Sequence, residues 1–302
     1  MKITFSVLSF FSILFCFGQT NSLSYEEKLL DKAYTIENVI GYTSLDLLSE
    51  QTNTLLSGYA KETKRQILSN AIEYYDTLID SFPNSKLIYR AIIGKAFINY
   101  ENEEYQKAKE GFLKINNAKD SLNSSSKNNE AFTRFRIAIN LAEIAVMDKE
   151  YENALVYLES SKNHKLRYMC LNAYYDDHAK YNYLKAKAYL GLNDYKKAYS
   201  VLLPNIFESG CFTDTGIPAL AVASLQKNYS KTELKIKFEK AFQEYHIEKD
   251  KTRKKLTRFY ILFLDEKIYI PYYEDKETSK KERAEGIKKA LANSKFYNIL
   301  VD

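Results

Sequence analysis

One stretch of this chain constrains its fold more than any other: Tyr183-Leu-Lys-Ala186-Lys-Ala-Tyr189-Leu-Gly-Leu-Asn-Asp-Tyr195-Lys-Lys-Ala198-Tyr-Ser-Val-Leu202. It reads as a helix, a short polar turn and a second helix, with small residues where the two would touch. The pattern recurs upstream. Twelve residues before Ala108, Ala154 and Ala198 stand Ala96, Ala142 and Ala186. Three residues before that first set stand Tyr105, Tyr151 and Tyr195, and four after it stand Phe112, Leu158 and Leu202. Such a unit buries its apolar face only by stacking on neighbours, so the recurrence predicts an array of antiparallel helix pairs.

Composition agrees. The 302 residues are 45% apolar and 27% charged, ordinary for a folded chain with a real core. Only 9 Gly and 4 Pro argue against a turn-rich β fold. The net charge of +5 is spread among interleaved acids and bases, whereas nucleic-acid binding needs a concentrated basic stripe. The run Lys249-Asp-Lys-Thr-Arg-Lys-Lys255 reads as a solvated face.

Along the chain, helices are expected at 24–38, opened by a Ser24/Glu27 capping box, at 43–57, and at 61–82. The last is amphipathic through Ile67, Ala71, Tyr74, Tyr75, Leu78 and Ile79, and Pro83 ends it. Pairs follow at 87–100 with 104–115, 130–147 with 151–161, and 178–190 with 195–203. A degenerate pair, 217–226 with 233–245, keeps Ala241 in step. A polar linker at 116–129 and a second insertion at 163–177 separate the pairs. The marker alanines Ala71, Ala108, Ala154, Ala198 and Ala241 stand 37, 46, 44 and 43 residues apart. A tight two-helix repeat needs about 34, so an irregular solenoid is expected.

These pairs resemble tetratricopeptide repeats. Leu141-Ala142 and Ala186 fall on the small-residue step of the first helix and Tyr189 on its aromatic slot, while Tyr195-Lys-Lys-Ala198 opens the second helix. Pro83 holds the closing-proline position relative to Ala71 and Tyr75. The segment 71–112, through Phe82-Pro-Asn-Ser85, is similar to repeats of extracytoplasmic bacterial proteins of the cell envelope. The resemblance covers about 60–245 and implies an all-α fold of stacked helix pairs. It also implies a non-catalytic scaffold that binds a protein or peptide partner, without a cofactor. In such arrays the first helices line a concave groove, which places Arg90, Phe97, Tyr100, Arg136, Glu143, Tyr183 and Lys187 there. Aromatic and Arg side chains are what protein-binding surfaces favour.

The first residues read as a signal peptide, 1–18: Met1-Lys2 is positive, 5–17 is almost wholly apolar, and Cys16-Phe-Gly18 offers small residues for cleavage. The apolar run is short against the ~20 residues of a membrane span. A lipid anchor on Cys16 needs a small residue before it, and Phe15 stands there. The expected protein is therefore exported, periplasmic or secreted, with no stable membrane span after cleavage. In that compartment Cys170 and Cys211 could be bridged or remain free thiols, and both readings stay open.

The repeat domain is expected over 19–248 and a different C-terminal segment over 249–302. Within 256–273, β-branched and aromatic residues flank a charged turn at Asp265-Glu-Lys267, which reads as a β-hairpin, with a terminal helix ending at Asp265 as the other option. A final helix is expected at 279–294. The aromatic tail motivates a second functional reading, binding of a glycan or surface polymer.

Chemistry-bearing patterns are sparse. His164, His178 and His246 show no two-ligand spacing, so no metal site is expected. His164 and His178 read as surface residues, and Asp176-Asp177 as a helix N-terminal cap. No phosphate loop or nucleophile motif is present, so the chain does not read as an enzyme.

Overall fold

In the computed structural model, which describes residues 23–41, 55–118, 127–164, 166–168, 171–207, 216–249, 257–274 and 278–302, the repeated alanines are where the helices meet. Ala71, Ala108, Ala154, Ala198 and Ala241 are all buried, and so are Ala96, Ala142 and Ala186. The residues four after the first markers, Phe112, Leu158 and Leu202, are buried as well. A methyl group at these positions lets two helix backbones approach while the larger residue fills the space beside it. The described residues are mostly helical, with a small antiparallel sheet near the C-terminus. The chain divides into two compact units, Met1–Glu130 and Ala131–Asp302.

The first unit holds α1 (Tyr25–Gly41), α2 (Leu55–Ser81), α3 (Ile88–Glu101) and α4 (Tyr105–Asn116). The predicted capping box is present: the Glu27 amide donates to Ser24 Oγ at 3.2 Å and the Ser24 amide to Glu27 Oε2 at 2.8 Å. Leu29, Leu30 and Ala33 of α1 pack with Leu68, Ala71, Tyr75 and Leu78 of α2 and Ala91 of α3. Two expectations change. Helix α2 begins at Leu55, six residues earlier than its apolar spacing suggests, and Gly58 lies inside it instead of bounding it. The remainder of the helix expected at 43–57 lies outside the described residues. Pro83 follows the end of α2, as its missing amide hydrogen requires.

The second unit takes in α5 (Lys127–Met147, whose first residues precede the division), α6 (Tyr151–Ser161), α7 (Leu171–Gly191) and α8 (Tyr195–Leu202). A 3-10 turn at Leu203–Asn205, carrying Pro204, closes α8. After it come α9 (Ile217–Leu225), α10 (Lys231–Gln243), strands β1 (His246–Lys249), β2 (Thr257–Phe263) and β3 (Glu266–Glu274), then α11 (Lys280–Ala292) and α12 (Lys295–Val301). The helix expected at 178–190 starts seven residues earlier, at Leu171. The residues read as insertion are helical because their aromatic rings pack: Tyr174 contacts Tyr168 at 5.4 Å and stacks on His178 at 5.7 Å. Asp176 and Asp177 consequently lie in the second turn of α7 and cap nothing.

Three turns share one geometry. Between α3 and α4, α5 and α6, and α7 and α8, the second turn residue is left-handed: Glu103 at φ 64°, Lys149 at φ 62° and Asn193 at φ 61°. The amide that follows each reaches back five residues, Glu104 to the Asn99 carbonyl, Glu150 to Ala145 and Asp194 to Tyr189, at 2.8, 2.8 and 2.9 Å. This is the Schellman closure, which satisfies a carbonyl left open at the helix end.

The sheet runs β1-β2-β3, all antiparallel. The hairpin expected at 256–273 is β2 and β3. Its turn is Leu264–Asp265, both at positive φ as a two-residue hairpin of type I′ requires. Phe259, Ile261, Phe263, Ile268 and Ile270 face inward and join a core with Leu234 and Phe238 of α10, Ile287 of α11 and Phe296 of α12. Strand β1 and helix α12 had no sequence expectation. The cysteine pair Cys170 and Cys211, Cys16, and residues 1–18 all lie outside the described residues.

Candidate functional site

The residues assigned to a groove fall in two groups. On α3, Arg90 donates from Nε to the Tyr34 hydroxyl at 3.2 Å with its guanidinium over that ring at 5.1 Å. Phe97 and Tyr100 are half-buried against Phe112 of α4, at 5.1 and 6.2 Å between ring centres. In the second unit, Glu143 of α5 pairs with Lys180 of α7 at 2.7 Å. Lys187 lies over the half-buried Tyr183 ring at 4.9 Å, and Arg136 on α5 is exposed.

A cleft of about 300 Å³ opens near this second group. Phe135 of α5 and Tyr174, Asp177, His178 and Tyr181 of α7 line it, together with Tyr168 from the connection between α6 and α7. Spacing explains how α7 builds its wall: 174, 177, 178 and 181 follow the i, i+3, i+4, i+7 rule and so share one helical face. The connection returns along that face, and Tyr168 is held by edge contacts with Phe132 at 5.2 Å and Tyr174 at 5.4 Å. Its hydroxyl donates to Asp177 Oδ2 at 3.0 Å. His178, expected at the surface, is half-buried: it stacks on Tyr174 and meets Asn182 Nδ2 at 3.2 Å. His164 is half-buried too and lines the cleft.

Burial holds the Asp177 carboxyl above the ordinary carboxylate range, while the Tyr168 hydrogen bond and the Arg136 charge pull it down. Burial likewise raises the Tyr168 and Tyr181 phenols. The Tyr181 hydroxyl is buried, and the Lys162 ammonium lies over its ring at 5.8 Å. Lys162 also pairs with Glu159 at 2.8 Å. Tyr174 and Tyr175 each keep 41% of their surface exposed. The cleft thus presents aromatic faces around one half-buried carboxylate, an arrangement suited to binding one ring or one extended side chain.

The aromatic tail is different. On the outward face of the sheet, Arg258 covers the Tyr269 ring at 3.8 Å and Lys267 the Tyr260 ring at 3.9 Å. His246 of β1 stacks on Tyr260 at 5.0 Å, and the Tyr269 hydroxyl donates to Glu248 at 2.6 Å. These rings are occupied by their own neighbours.

The cleft is not legible in the sequence, because three separated segments build it and one of them, within 163–177, reads as an insertion between helix pairs. The i, i+3, i+4, i+7 run of Tyr174, Asp177, His178 and Tyr181 was the available signal. Among the described residues, no cluster of His, Cys, Asp and Glu could hold a metal ion, and no helix is long and apolar enough to cross a membrane. No family model matches this chain, and searches of curated proteins and of solved structures found no match either.

Proposed function

We propose that this chain is an exported, non-catalytic helical-repeat module of tetratricopeptide type that binds a protein or peptide partner in the cell envelope. The repeat reading is supported by three helix pairs with the same buried alanines and the same left-handed turn residue. The binding reading rests on the aromatic cleft between α5, α7 and the connection from α6 to α7, which is sized for a single inserted side chain and whose Asp177 feels the charge of the expected groove residue Arg136. Glycan binding is the second reading. Its support is the exposure of Tyr174 and Tyr175, since the rings of the tail are covered by cations.

The test is a photo-reactive residue at position 175, crosslinked in the native envelope and analysed by mass spectrometry. One dominant captured protein, lost when Tyr174→Ala is added, supports the peptide reading. Capture of glycan alone, or capture indifferent to Tyr174, overturns it.

A further inference from the structure

We propose that the α5–α7 cleft holds a cationic side chain, lysine or arginine, of a bound peptide segment, with Asp177 as its counter-charge. This rests on the peptide-binding reading above and names what the cleft recognises.

The argument begins with the rings. Phe135, Tyr168, Tyr174 and Tyr181 contribute aromatic carbons to a space of about 300 Å³. Aromatic faces carry negative quadrupole density and attract a cation within about 6 Å of the ring centre. Tyr181 already receives two ammonium groups at that range, Lys162 at 5.8 Å and Lys185 at 5.7 Å, so it is served by the protein's own cations and the rings left to meet a ligand are Phe135, Tyr168 and Tyr174.

The carboxylate gives the sign. Asp177 lines the cleft and accepts from the Tyr168 hydroxyl. The neighbouring lysines have acids of their own: Lys162 is paired with Glu159 at 2.8 Å and Lys180 with Glu143 at 2.7 Å. Asp176, the next residue on α7, does not line the cleft, but its charge adds to the negative field at Asp177. Burial lifts the Asp177 carboxyl, against the lowering effects of the Tyr168 hydrogen bond and of the Arg136 charge. A neutral sugar would stack on the rings and leave that charge as it is. An anion would meet Asp177. A lysine or arginine satisfies both the rings and the acid, and its aliphatic stem suits the apolar wall of Phe135 and Leu166.

The experiment uses the full chain with ¹³C-labelled tyrosine rings, titrated with N-acetyl-lysine N-methylamide and followed by NMR. The neutral norleucine analogue and a neutral oligosaccharide serve as comparison probes. The expected result is saturable shifts of the Tyr168 and Tyr174 rings with the lysine probe and a roughly tenfold weaker response to norleucine. In Asp177→Asn, which retains an acceptor for Tyr168, the lysine response falls about tenfold. Equal shifts from lysine and norleucine overturn the cationic occupant and leave the peptide reading standing. Shifts from the oligosaccharide alone overturn both. No shift from any probe overturns the cleft as the binding site.

Discussion

Tyr75 of α2 and Gly94 of α3 occupy adjoining space: a methyl group at position 94 would fall inside the Tyr75 ring. The ring cannot swing aside, because it is fully buried and its hydroxyl donates to Glu37 of α1. Gly94→Ala removes the helix-propensity penalty of glycine, worth about 1 kcal/mol. It also overpacks a closed site, which costs about 1–3 kcal/mol. The overpacking prevails, so this variant should lower stability in urea unfolding, and adding Tyr75→Leu should recover part of the loss. Gly191 stands in the same relation to Tyr151 and should respond in the same direction.

Glu37 supplies a pH test. Burial raises its carboxyl above the ordinary 4.5, against the lowering effect of the Tyr75 hydrogen bond, and the Glu101 charge raises it further. A raised value in the folded state means that the folded chain holds the proton more tightly than the unfolded one. The stability this provides is fully present below about 4.5 and is lost as pH rises through the folded value. Glu37→Gln keeps an acceptor for the Tyr75 hydroxyl without the charge. Measured by denaturant midpoint across pH, it should be at least as stable as the parent at neutral pH and lose that advantage below about pH 4.5. An advantage that grew on acidification would mean that the ionised carboxylate stabilises the fold.

The left-handed turn residues predict a gain. Lys149 is exposed and holds φ at 62°, a conformation that costs a non-glycine residue about 1–2 kcal/mol. Glycine removes that strain but loses more entropy on folding, by about 0.4–1 kcal/mol. Lys149→Gly should therefore stabilise the chain by about 0.5–1 kcal/mol, seen as a raised thermal midpoint. Asn193→Gly should yield less, because asparagine tolerates this region and its Oδ1 accepts from the Tyr195 hydroxyl at 2.9 Å.

These turns show what the sequence made legible. Alanine spacing located the helix contacts, since only a small residue suits a close backbone approach and Ala71, Ala108, Ala154 and Ala198 are all buried. The Ser24 cap was readable because both partners lie within one turn. Lys149 and Glu103 gave no warning of positive φ, because neither residue type prefers it. Strand β1 was invisible for a similar reason: His246-Ile-Glu-Lys249 has no apolar density and becomes a strand by pairing with β2. The start of α7 was hidden because its helical run at Tyr174, Asp177, His178 and Tyr181 mixes aromatic and polar residues, so it shows no apolar stripe, and its packing comes from Tyr168 outside the helix. The cleft was lost with it.

Two helix starts offer a simple stability test. Ser230 and Ser279 accept from the amides of Glu233 and Glu282 at 3.2 Å each, with reciprocal glutamate bonds to the serine amides. Alanine at either position should cost about 1 kcal/mol in urea unfolding. Glycine should cost only a few tenths, and equal effects of the two substitutions would remove the cap as the cause.

Phe238 decides whether the sheet and the late helices unfold together. Its ring lies 5.2 Å from Phe242 on the same helix, 5.1 Å from Phe263 on β2 and 4.9 Å from Phe296 on α12. Removing a buried phenylalanine costs about 3–5 kcal/mol, because the transfer loss is joined by the cavity it leaves. Three elements far apart in sequence lose the same partner in Phe238→Ala, so none should hold its protection alone. Hydrogen exchange should then rise together in α10, β2 and α12, while α1–α4 of the other unit keep their parent rates. Faster exchange confined to α10 would mean that the sheet has a core of its own and that Phe238 merely rests on it.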